Sequence, residues 1–257
     1  FLQYSERRDL REKLYTAYFM KGDNGNDFDN NAIISKIASL RVKRSNLLGY
    51  KTYADFVLER NMAKTPERVF TFLKQVWDAA LPVAKAEAAA QQELIKKEGG
   101  KFKLESWDWW YYTEKIKKEK FDLSDEITRP YFQVDNVMEG MFFVANKLYG
   151  LTFTKLTHVP KYHPDVNTFE VTRDGKHIGI LMIDNYPRPS KRGGAWCGSY
   201  RSQKRDINGN MVYPIITMVT NSTPPTADAP ALLTASEAET LFHEFGHALN
   251  GLLSNIT

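Results

Sequence analysis

The sequence predicts an α+β fold, mainly α: a helical scaffold, then a small sheet, then one closing helix. Three observations carry this. Apolar residues recur at helical spacing between Leu2 and Tyr149. From Leu151 onward β-rich runs take over, with Asp174 and Gly175 set between two of them as a hairpin turn. Thr234 and Glu237 then form a capping box in front of a final amphipathic stretch.

Taken in order, helices are predicted near Leu2–Met20, Asn31–Leu48 and Tyr53–Arg60, the second closed by Gly49. Thr65, Pro66 and Glu67 start a long helix toward Lys97, which Pro82 should kink and Gly99 and Gly100 should end. Two more follow around Trp109–Lys120 and Asp135–Tyr149, with Gly150 as the stop, so residues 1–150 read as the scaffold. Trp107, Trp109, Trp110, Tyr111 and Tyr112 read as packing between helices. In the second part, 151–257, strands are expected in the Asp174-Gly175 hairpin, at Ala195–Tyr200 and at Tyr213–Thr220.

Composition narrows the function. With 42% hydrophobic residues in 257, the chain can fill a core. Its 35 basic and 31 acidic residues leave a net charge of +4, too small an excess for a dedicated nucleic-acid binder. The clearest apolar run, Ile178–Ile183, is far short of the roughly 18 residues a membrane span needs. The lone Cys197 rules out an internal disulfide. Phe1 lies at the head of a charged amphipathic segment with no targeting pattern, which predicts an internal piece of a longer protein. The rest of that polypeptide is then its first partner, and a monomer is expected. A cytoplasmic location is expected, with a periplasmic one as the alternative because a leader would lie upstream.

The chemistry is concentrated in "TLFHEFGHALNGLL". On a helix, Ala238, Leu241, Phe242, Phe245, Ala248, Leu249 and Leu252 fall on one stripe of about 120°, a core-facing side. His243 and His247 lie opposite, about 40° apart, so both imidazoles can reach one point. Imidazole nitrogen suits zinc, and the adjacent Glu244 can take a proton from water that the metal activates. Gly246 costs a helix roughly 1 kcal/mol against alanine, which suggests close approach by another backbone. His158, His163 and His177 read as surface or capping residues; His163 is the first place to look if a third ligand lies within the chain.

These residues resemble the thimet-oligopeptidase family of zinc metallopeptidases, and within it the bacterial peptidyl-dipeptidases and oligopeptidases. The likeness is carried in order by "LLGYKTYADFVLERNMAKTPERV", "WDWWYYTEKIKKEKFDL", "RPYFQVDNV", "YHPDVNTFEV", "KRGGAW", "PALLT" and "LFHEFGHAL". The resemblance implies that His243 and His247 are the first two zinc ligands and Glu244 the general acid/base. It places the third ligand, a glutamate, and the oxyanion groups on segments past Thr257, so the catalytic domain here is expected to be partial and inactive alone. Two positions depart from the family's pattern, Asn250 and Cys197, neither a ligand position. The implied activity is release of dipeptides from the C-terminus of oligopeptides. Internal cleavage of short peptides is the close alternative, and a non-catalytic, peptide-binding fragment the rival.

Two further expectations concern the substrate. The stretch Gly193, Gly194, Ala195 and Trp196 has the small residues that let a peptide backbone approach, and Gly194–Tyr200 is expected to line the cleft as a strand. The loop "NYPRPSKRGG" is expected to present Arg188, Lys191 and Arg192 to an acidic or C-terminal group.

Overall fold

The computed structural model describes residues 1–122 and 124–255; residues 256–257 of the predicted second part lie outside the described residues. The chain divides into two compact units, Phe1–Asp122 and Leu123–Thr257.

The first unit is helical: α1 Arg8–Phe19, α2 Asn31–Leu47, α3 Tyr53–Leu58, α4 Pro66–Lys97 and α5 Trp109–Phe121. The sequence punctuation acts where it should. Thr52 and Asp55 close a capping box on α3, and the Thr65 hydroxyl accepts from the Arg68 N–H ahead of Pro66 at the start of α4. Pro82 does not interrupt α4, which is assigned as helix without a break to Lys97. The unit is held around Asp108, which has no exposed surface and accepts hydrogen bonds from Arg8 and Arg11 on α1. Tyr15 sits against Trp107 and Trp110, and the Arg11 guanidinium lies over Tyr111, so the aromatic run is packing, as its density implied.

The second unit holds α6 Asp125–Thr128, α7 Val134–Tyr149, the strands β1 Leu151–Leu156, β2 Asn167–Arg173, β3 Lys176–Asp184, β4 Trp196–Arg201, β5 Lys204–Arg205, β6 Met211–Val212 and β7 Ile215–Val219, and α8 Ala235–Leu253. Five strands form one mixed sheet in the order β1-β2-β3-β7-β4, and β5 pairs with β6 apart from it. Only β3 and β7 run parallel. Asp174 and Gly175 turn β2 into β3 with φ of +51° and +71°, the paired positive values that a tight hairpin of this hand requires.

Helices α7 and α8 bury the sheet. Phe142 on α7 stacks on Phe153 at 4.3 Å between ring centres, and Phe245 on α8 closes on both. Leu151, Val171, Leu181, Ile183, Ile216 and Met218 complete this core. Secondary structure changes from helix to strand after Gly150, but α7 packs with the sheet, so packing divides the chain ahead of α7.

Candidate active site

α8 opens as its sequence dictates. The Thr234 hydroxyl accepts from the Glu237 N–H at 3.1 Å, and the Glu237 carboxylate accepts from the Thr234 N–H at 2.7 Å. The helix then buries Ala238, Leu241, Phe245, Ala248 and Leu252. The packed stripe is rotated from the one its sequence suggested: Phe242 is 42% exposed, while Glu244 is only 7% exposed.

His243 and His247 are exposed on the other side, with their Nε2 atoms 3.2 Å apart and their rings at 80°. Two ligands at about 2.0–2.1 Å from a tetrahedral ion lie roughly 3.3 Å apart, so the pair has the separation zinc needs. The donor set therefore fits the ion. Among the described residues, no group of three His, Cys, Asp or Glu side chains comes together to hold a metal. His163 is engaged locally, its Nδ1 accepting from the Asp165 N–H, and His177 pairs with Glu170.

Glu244 sits on the seam between the buried and exposed faces of α8. It lines a concavity of about 520 Å³ with His247, Asn250 and Gly251 on α8, Ile216 on β7 and Trp196–Ser199 on β4. Among the described residues its carboxylate has no hydrogen-bond partner and opens on the concavity, although the residue as a whole is buried. Cys197 shares this wall; burial, and then the Glu244 carboxylate, push its thiol pKa up and keep it a neutral S–H. Strand register explains its place. Cys197 pairs with Met218 and Met218 with Ile183, a row facing the helices, whereas Trp196 pairs with Val219 in the row of Asp184 on the other face.

β4 is one edge of the sheet, with β1 at the other. A second concavity of about 230 Å³ joins Gly194 and Ala195 to Glu237 and Thr240, two turns ahead of the histidines. β4 and α8 therefore advance side by side, over about 17 Å by the strand rise and about 21 Å by the helix rise. Added Cβ atoms on Gly193 or Gly194 would meet nothing, so this entry is open to another backbone.

Two expectations are corrected. Gly246 faces open space within this chain, and the close approaches are made at Gly251, where a Cβ would lie 2.8 Å from Ile216 Cδ1, and at Gly179. The loop cations are largely used internally. Asp184, 1% exposed at its side chain, accepts from both Arg188 nitrogens at 2.9 and 2.8 Å, from Lys191 at 3.0 Å and from the Tyr162 hydroxyl at 2.9 Å. Lys191, 2% exposed, also donates to the carbonyls of Asp184 and Tyr186. Burial pushes the Asp184 carboxyl up, but the bonds from Arg188, Lys191 and Tyr162 outweigh it and hold the pKa below the usual range. Lys191 is drawn down by the same burial; its three acceptors still call for an ammonium. Burial first, and then bonding to Asp184, raise Tyr162 to about 12. Only Arg192 stays exposed, its guanidinium 5.6 Å from the Trp196 ring centre. Gly198 and Ser199 lie on the wall, within the stretch expected to line the cleft; sequence reading missed Ile216 and Gly251, whose place there depends on how β7 packs against α8.

Comparison with known proteins is extensive. The profile of peptidase family M3 matches residues 1–257. Dipeptidyl carboxypeptidase of Escherichia coli (strain K12) is 38% identical over 254 residues, 97% of this chain and 37% of that protein. Oligopeptidase A of Salmonella typhimurium is 36% identical over 260 residues, 99% of this chain and 38% of that protein. The organellar oligopeptidase A of Arabidopsis thaliana is 36% identical over 270 residues, 98% of this chain and 33% of its own length. The chain spans a little over a third of the length of the bacterial relatives it matches.

Proposed function

The chain belongs to peptidase family M3, and on that premise we propose that it carries the metal-ligand pair and proton-transfer base of a zinc-dependent peptidase that removes dipeptides from the C-terminus of short peptides. The observation that carries this is the 3.2 Å separation of the His243 and His247 Nε2 atoms beside a buried, unpartnered Glu244. Zinc, when bound by those two nitrogens and a third protein ligand, supplies a Lewis acid that makes water nucleophilic near neutral pH and polarises the scissile carbonyl. Glu244 takes the proton of the attacking water as the C–O bond forms, then delivers it to the amide nitrogen as the C–N bond breaks. Its place on the wall of the concavity puts the carboxylate where the attacking water would enter. The open edge of β4 beside it offers main-chain groups to an extended peptide, with Gly193, Gly194, Ala195 and Trp196 at the entry.

Internal cleavage of short peptides is the second reading. Near-equal identity to a dipeptidyl carboxypeptidase and to oligopeptidases A favours keeping it. Zinc takes three protein ligands in catalytic sites, and the described residues supply two, so the 257-residue chain alone should hold zinc weakly and cleave nothing. The test is metal analysis and peptide cleavage by the longer polypeptide that contains this chain. Bound zinc and release of a C-terminal dipeptide from an N-blocked tetrapeptide are expected; metal-independent cleavage would overturn the reading.

A further inference from the structure

We infer that Asn221 is a positioning residue that fixes the Gly193–Trp196 segment and so presents the free edge of β4. Its Nδ2 donates to two carbonyls of the loop leading into that strand, Arg192 O at 2.8 Å and Gly194 O at 2.7 Å. One amide can hold both only if the intervening backbone doubles back. Gly194 makes that bend with a φ of +89°, in the left-handed region that favours glycine.

The site is braced from two sides. At the start of the loop, Asp184 gathers Arg188, Lys191 and Tyr162, and the Thr220 hydroxyl donates to the Asn185 carbonyl. At its end, Asn221 alone supplies the side-chain bonds that the described residues show for 192–194. Asn221 follows directly after Thr220, just past β7, the strand that pairs with β4. The amide thus ties the entry of the edge strand to the end of its only sheet neighbour. With the Gly194 carbonyl already engaged, the stretch best placed to pair with a peptide is Trp196–Ser199, level with Glu244 and His247. Burial separates this role from that of the Asp184 cluster: Asn221 is half-exposed, so replacing it leaves the core intact.

The consequence for peptides rests on the peptidase reading above; the bracing does not. Asn221→Ala removes the amide, and Asn221→Asp keeps its size while turning both donors into acceptors that face carbonyls. In the 257-residue chain, both variants should exchange the amides of 195–199 about tenfold faster than the wild type, with β1 and β2 unchanged. Unchanged protection of 195–199 would overturn the inference. In the peptide-cleaving parent, both should raise KM about fivefold with kcat within about twofold. A fall in kcat at constant KM, or no change in either, would overturn it as well. A wild-type parent that cleaves no peptide would defeat the functional reading alone, since exchange still decides the brace.

Discussion

α8 carries two glycines, Gly246 and Gly251, whose surroundings are opposite. On one face Gly251 exists to let Ile216 in: a Cβ there would stand 2.8 Å from its Cδ1. Five residues earlier Gly246 meets nothing, on the same open side of the helix as the exposed His243 and His247. One face is closed by the sheet and carries stability. The other is left open and, on the proposed reading, carries the chemistry, with Glu244 on the seam where it lines the concavity. A helical glycine therefore has no fixed meaning; the atoms around it decide.

The largest expected effect breaks the comparison most cleanly. His247→Ala in the peptide-cleaving parent should abolish zinc retention and cleavage, while in the 257-residue chain it shifts the melting temperature by less than about 2 °C, since the ring is exposed. A large loss of stability would mean the open face is structural. Next, Gly251→Ala should destabilise by about 1–2 kcal/mol, because displacing the buried Ile216 outweighs the gain in helix propensity. Gly246→Ala should do the reverse and stabilise by about 0.5–1 kcal/mol, as nothing obstructs the added methyl. Denaturant unfolding reads both, and equal signs at the two positions would erase the distinction.

The smallest effect sharpens it from behind the sheet. The folded Asp184 carboxyl has a depressed pKa, so its contribution to stability is present above the unfolded value and is lost as pH falls through the folded one. Acidification below about pH 4 should loosen the loop 185–194, read by amide exchange, before the α8 contacts to β7 open. Simultaneous opening of both would show that β4 is held from the helix side only.

Much of this was legible in the sequence. Caps and turns have local causes, so the Thr234 and Glu237 box, Pro66 after Thr65 and the Asp174-Gly175 hairpin appeared where the residues put them. Helical phase was enough to bring His243 and His247 together. What failed depended on tertiary partners. The packed stripe of α8 turned toward Glu244 because β7 and β4 lie on that side, which no periodicity contains. The charge of Arg188 and Lys191 was cancelled by Asp184, a strand-end residue whose neighbours only the fold supplies. Gly246 was misread for the same reason: the cost of glycine in a helix is visible in sequence, and its cause is not.

On the proposed reading Glu244 is a proton carrier and neither a ligand nor a structural carboxylate, and Glu244→Gln separates these roles. In the parent polypeptide the variant should keep its zinc, because both histidines remain, and lose about 10²–10⁴ in turnover with the base removed. In the 257-residue chain the same isosteric change should leave stability nearly unchanged, since the carboxylate makes no hydrogen bond among the described residues and opens on the concavity. Loss of zinc, or retention of near wild-type turnover, would contradict the account.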